Sequence, residues 1–313
     1  MCEETDKDIE ELTQAIRLNP NYAKAYYDRG LAYFKKGDYD RAITDYSEAI
    51  RLNPNDAEAY CSRGAMYNNK GDYDRAIVEY NEAIRLNPDY AGAYTIRGLA
   101  YFKKGDYDRA ITDYNEAIRL NPNYAKAYYN RGLAYFKKGD YDRAITDYSE
   151  AIRLNPNDAE AYCSRGATYN NKGDYDRAIV EYNEAIRLNP DYAGAYTNRG
   201  TAYAEKGEYD RAITDFSEAI RLNPNMATAY YNRGNAYEDK GDYDRAITDY
   251  SEAIRLNPND AGAYYNRGIA YSEKGDYDRA IADYEVALQI KPNHANAREN
   301  LERTKSERDR RGC

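Results

Sequence analysis

The chain has 313 residues, 32% of them charged, and its 45 lysines and arginines against 54 aspartates and glutamates leave a net charge of −9. Leu, Ile, Val and Phe supply only 41 residues, a proportion typical of disorder, but 39 tyrosines raise the core-forming stock to 80, because tyrosine buries its ring while its hydroxyl stays hydrated. No apolar run nears the roughly 20 residues of a membrane span, and the acidic balance excludes a general nucleic-acid binder, whose affinity comes from neutralising phosphates.

The opening Met1-Cys2-Glu3-Glu4 is acidic with no apolar stretch behind it, so it does not read as a secretory signal, and a cytoplasmic location is expected. Residues 5–19 form one helix pattern, with Ala15, Ile16 and Leu18 in register before Pro20. From Ala23 onward a 34-residue period takes over. All nine prolines, from Pro20 to Pro292, stand 34 apart, and two glycine series (Gly30 to Gly268, Gly37 to Gly275) follow the same step. A fixed period of this length fixes the architecture, and eight complete units fill residues 23–294. A longer period lies above it. Residues 23–56 recur at 125–158 with one change, Asp28 to Asn130; residues 57–90 recur at 159–192 with one, Met66 to Thr168; the third pair, beginning at 91 and 193, has drifted further.

Each unit reads as two helices. Tyr26, Gly30 and Tyr33, flanked by Ala25 and Ala32, mark the first; Tyr39, Ala42, Ile43, Tyr46, Ala49 and Ile50 mark the second, both at helical spacing. Lys36-Gly37-Asp38 makes the turn, with Asp38 an N-cap candidate, and Pro54 ends the second helix. Gly30 in mid-helix would cost about 1 kcal/mol against Ala, so its recurrence predicts a close approach of two helices. After the last unit, Ala295 and Ala297 keep register while Arg298 and Glu302 break the pattern, and residues 295–313 are expected as a polar C-terminal capping helix and tail.

Tyr26, Gly30, Tyr33, Ala42, Tyr46, Ala49 and Pro54 in a 34-residue helix–turn–helix unit resemble the tetratricopeptide repeat, over 272 of 313 residues. The resemblance implies an all-α, right-handed superhelical solenoid of tetratricopeptide helix-turn-helix repeats at 23–294. Residues 1–22 are then a half-repeat helix, either a cap or the stump of a longer array. One departure is systematic: the residue before the first glycine, usually a large aliphatic in the family, is arginine in all eight units, from Arg29 to Arg267. An acid follows each of them by 16 residues, from Asp45 to Asp283. A structural ladder is favoured over an arginine track for acidic ligands, since a track needs no matching acid; Asp45 also lies four residues from Arg41, so a local pair competes for it.

Chemistry has little to work with. The single histidine, His294, cannot complete a zinc motif and has no nucleophile beside it, and the glycine spacing forms no phosphate loop. Cys2, Cys61, Cys163 and Cys313 fit no metal spacing and read as free thiols in a reducing compartment. No enzyme activity, cofactor or metal is expected. The expected function is a protein–protein interaction scaffold; a self-assembling structural module, or an accessory domain of a larger protein, are the alternatives, with a monomer expected and self-association left open.

Lys24, Tyr27, Asp28, Leu31, Phe34 and Lys35 fall on one stripe of the first helix, away from the packing face. By resemblance that stripe lines a concave groove that holds a peptide or protein segment. Its candidate contacts are Tyr27, Phe34, Phe102, Tyr129, Asn130, Phe136, Asn198, Tyr231, Asn232, Tyr265 and Asn266. Phe and Lys make the N-terminal part apolar and basic, whereas Glu238, Asp239 and Glu273 make the C-terminal part acidic. Asn130, Asn198, Asn232 and Asn266 either form an amide ladder for a peptide backbone or merely solvate the wall. The lysine–asparagine clamp of some tetratricopeptide cochaperones is missing: Tyr27, Leu31, Cys61 and Ala65 stand at its places.

Overall fold

The computed structural model describes residues 2–311, side chains at the two extremities excepted, and every regular element among them is a helix. The chain divides into two compact units, Met1–Pro156 and Asn157–Cys313. In the first, α1 (Cys2–Leu18) precedes four helix pairs: α2 (Ala23–Lys35) with α3 (Tyr39–Leu52), α4 (Ala57–Asn69) with α5 (Tyr73–Leu86), α6 (Ala91–Lys103) with α7 (Tyr107–Leu120), and α8 (Ala125–Lys137) with α9 (Tyr141–Leu154). In the second, the pairs are α10 (Ala159–Asn171) with α11 (Tyr175–Leu188), α12 (Ala193–Glu205) with α13 (Tyr209–Leu222), α14 (Ala227–Asp239) with α15 (Tyr243–Leu256), and α16 (Ala261–Glu273) with α17 (Tyr277–Ile290), followed by α18 (Ala295–Arg311). Within each unit, every helix packs on its neighbours in the chain.

Local sequence explains the pair. Asp38 caps α3 by accepting from the Arg41 amide at 3.1 Å, while Gly37 turns the chain at φ +76°, a region that penalises any Cβ. Gly30 answers to the Tyr46 ring: a Cβ there would stand 2.9 Å from Tyr46 Cε1. The core of each repeat is therefore one aromatic, such as Tyr46, Tyr114 or Phe216, laid on a glycine and walled by alanines such as Ala25, Ala42 and Ala49. Burying such a ring contributes about 1.5–3 kcal/mol. Tyr26 and Tyr33 lie half-buried beside it, on either side of the Arg29 guanidinium.

The arginine series is structural. Arg29 donates from Nε and Nη2 to the two carboxylate oxygens of Asp45, each at 2.7 Å, and from Nη1 to Thr13 Oγ1 of α1 at 3.0 Å. Arg97, Arg199 and Arg233 repeat this, reaching Asp113, Asp215 and Asp249 ahead and Asn81, Asn183 and Ser217 behind. Each guanidinium thus bolts its own repeat to the previous one. The competing pair does not form, because Arg41 is held by Asp38 at 2.5 Å. Where the acid is Glu79, Arg63 reaches it with Nη2 alone, at 2.8 Å, while Nη1 donates to Ser47 Oγ at 3.0 Å and the buried Nε has no partner. Shortening Glu79 to aspartate should restore the two-pronged pair and raise stability by about 1 kcal/mol. Thermal melting of E79D beside wild type checks this; an unchanged or lower midpoint refutes it.

Cys61 and Cys163 are free and buried, and burial pushes the Cys61 thiol up to about 12, so neither is poised as a thiolate nucleophile. Cys313 and the Cys2 side chain lie outside what the structure describes.

Candidate functional site

The stripe foreseen on the first helices is free only in part: Lys24, Leu31, Phe34 and Lys35 are exposed, but the tyrosines and asparagines on it are partly spent within the array. In the first unit, Tyr27 turns its ring onto the core Tyr46 with centroids 5.5 Å apart and brings its hydroxyl to 3.3 Å from Ser62 Oγ in the next repeat. Tyr129 does the same against Tyr148 at 5.7 Å. A residue at i+4 from the outermost face still leans over the preceding turn, and that direction carries these rings back toward the core. Asn130 is buried, 8% exposed, and its Nδ2 finds no partner.

The phenylalanines behave differently. Phe34 is 38% exposed, Phe102 and Phe136 are half-buried, and each rests on the first tyrosine of its own second helix: Tyr39, Tyr107 and Tyr141, at 6.3, 5.3 and 5.6 Å. Of four phenylalanines in the chain, three occupy this one register at the surface. Lys35, Lys103 and Lys137 beside them end α2, α6 and α8, where the helix dipole favours a cation.

In the second unit the asparagines look inward. Asn198 Nδ2 donates to Cys163 Sγ at 3.4 Å, Asn232 Nδ2 to Thr201 Oγ1 at 3.5 Å, and Asn266 Nδ2 to both Tyr231 Oη and Asn235 Oδ1 at 3.0 Å. Each bond crosses from one repeat to the one before it. Tyr231 lies 5.9 Å from Tyr250, while Tyr265 packs against Tyr284 at 6.0 Å and His294 at 4.7 Å and accepts from Asn300 at 3.1 Å. At least one donor of each amide is therefore spent inside the array, which the sequence did not disclose.

A polar network was also missed. Tyr250 is almost fully buried and its hydroxyl donates to Glu238 Oε2 at 2.5 Å, with Asn235 Oδ1 also beside it at 2.8 Å. Burial lifts the Glu238 carboxyl above its ordinary range, with neighbouring Asp239 and Glu273 adding to the effect. The departure of Asn235 from Leu31, Leu99 and Leu133, and of Glu238 from Phe34, Phe102 and Phe136, was the available signal. Among the described residues, no three metal-ligating side chains come together and no helix is long and apolar enough to cross a membrane.

Sequence profiles of the TPR repeat match residues 4–37, 30–71, 64–105, 98–139, 132–173 and 168–207, and those of the tetratricopeptide repeat match 197–260 and 231–295. No curated protein matches the chain in sequence. Among solved structures it resembles the APC/C hetero-tetramer Cut9–Hcn1, with a TM-score of 0.64 at 20% identity over 95% of this chain and 58% of that one. It also resembles a tetratricopeptide repeat protein from Parabacteroides merdae, with a TM-score of 0.62 at 23% identity over 79% of this chain and 98% of that one. At these identities the likeness is one of fold. The chain spans little more than half the length of the first of the two.

Proposed function

We propose that the chain, which belongs to the tetratricopeptide repeat family, is a non-catalytic scaffold that holds a segment of another protein along the exposed face of its first helices. The observation that carries this reading is the surface row Phe34, Phe102 and Phe136. A packed core has no use for these rings, since each repeat already has its buried aromatic, and large aromatics set at repeat intervals are what anchors an extended partner. Tyr39, Tyr107 and Tyr141 hold them in place, which limits the entropy lost on binding.

The amides of Asn198, Asn232 and Asn266 then have a divided role. Their donors tie repeats together, and what they offer a ligand is their carbonyl side. A random decapeptide library selected on the purified chain tests the reading. F34A/F102A/F136A should weaken the selected peptides at least tenfold with little change in melting. N198A/N232A/N266A should weaken them less, and should also lower stability at about 1 kcal/mol per net hydrogen bond lost. No selectable peptide, or peptides that bind wild type and both variants alike, overturns the reading.

A further inference from the structure

The 102-residue block is copied almost unchanged in its first two repeats, but residues 193–226 differ from residues 91–124 at eight positions. Four of the eight line one cavity of about 380 Å³: Leu99 has become Thr201, Phe102 Ala204, Lys103 Glu205 and Tyr114 Phe216. Only one other residue of that repeat, the unchanged Tyr209, lines it. Drift without a focus would scatter over the whole repeat.

The changes explain the space. Phe102 covers Tyr107 in the sister repeat; Ala204 leaves Tyr209 uncovered. Phe216 lacks the hydroxyl that Tyr250, one repeat later, sends toward α14. The opposite wall comes from α14 itself, through Asn232, Asn235, Ala236 and Asp239, and here too a lysine has been inverted, since Lys137 of the sister block corresponds to Asp239.

Neither acid serves the fold. Glu205 ends α12 and Asp239 ends α14, where the helix dipole disfavours negative charge. Among the described residues, neither has a lysine or arginine within ion-pairing distance. Lys206 is taken by Asp176 and Glu208, at 2.6 and 3.0 Å, and Lys240 by Asp210. The cavity thus joins an apolar floor to two uncompensated carboxylates at its rim.

We propose that this cavity receives a lysine or arginine side chain of the bound segment. The aliphatic stem lies along Ala204 and Tyr209, above the buried Phe216, and the cationic head stands between Glu205 and Asp239. This rests on the scaffold reading for the segment and adds the chemistry of one of its residues.

The probes are Nα-acetyl-lysine methylamide, its arginine counterpart, and the uncharged isostere Nα-acetyl-norleucine methylamide. Each is titrated into the full chain while the Ala204 and Ala236 methyl resonances are followed. The cationic probes should give saturable shifts with at least tenfold tighter binding than norleucine. E205Q/D239N should erase that difference, and A204F, which restores the sister repeat's residue and should melt like wild type, should abolish the response. Equal binding of all three probes, or an unaltered response in A204F, overturns the proposal. Library peptides that keep full affinity for A204F overturn it while leaving the scaffold standing; a chain that selects no peptide overturns the scaffold itself.

Discussion

Replacing Arg131 by alanine should destabilise the protein by about 3–5 kcal/mol at neutral pH, because it strands a buried carboxylate. The side chain of Asp147 is only 5% exposed, and Arg131 meets it with Nε at 2.8 Å and Nη2 at 2.7 Å while Nη1 reaches Asn115 at 2.7 Å. Burial already raises the Asp147 carboxyl above its ordinary range, with Arg131 opposing the rise. Taking the arginine away removes the opposition, so the folded-state value climbs further. A carboxyl raised in the folded state binds protons there first, so its penalty is fully present at pH 7 and fades as pH falls toward its unfolded value near 4. Denaturant unfolding of R131A and wild type at pH 7 and pH 4 should therefore give a smaller difference at the lower pH. R131M/D147L, which removes both charges, should recover most of the loss. A pH-independent difference, or a double variant as weak as R131A, would show that the ladder does not act through its charge pairs.

Tyr148 and Gly132 should be coupled. Y148A is expected to cost about 3–5 kcal/mol through the cavity it leaves, since the ring is 1% exposed and supports Tyr129. G132A should cost about 1–3 kcal/mol by overpacking, less about 1 kcal/mol of improved helix propensity, because its Cβ would lie 2.9 Å from Tyr148 Cε1. With the ring gone the new methyl has room and fills part of the void, so the double variant should be more stable than the sum of the two losses allows. A strictly additive cycle in denaturant unfolding would mean that the glycine is kept for some other reason than ring clearance.

Much of the fold was legible because its determinants are local or strictly periodic. Asp38 after Gly37 announces a turn and a cap within three residues, and Gly30 in mid-helix announces a close approach. The Arg29–Asp45 pair could be read from spacing, because a 16-residue step recurs in every repeat. The site was harder. A helical wheel assigns Tyr27 and Asn266 to the outer face, yet a long side chain reaches sideways, and Tyr27 spends its reach on Tyr46 while Asn266 spends it on Tyr231 and Asn235. Such lateral bonds depend on how far one helix sits from the next, which no single-helix pattern encodes. The cavity beside Ala204 was hidden for a related reason: it exists through what is missing at two positions, 204 and 216, on different helices.

The near-identity of the repeats has a consequence for how the chain finds its fold. The surface that α2 presents to α3 is almost the surface that α8 presents to α9, so α2 could be satisfied by α9 with nearly the same contacts. Side-chain complementarity therefore cannot reject that mispairing; connectivity must. Closing a three-residue turn instead of a stretch of about a hundred residues saves roughly 3 kcal/mol of chain entropy, and it is also far quicker. The tight Lys36-Gly37-Asp38 turn and its copies thus act as the proofreading element of assembly, committing each helix to its sequence neighbour before a distant twin can compete. Lengthening such a turn would remove that advantage and leave the array open to exchanging helices between copies, within one chain or between two.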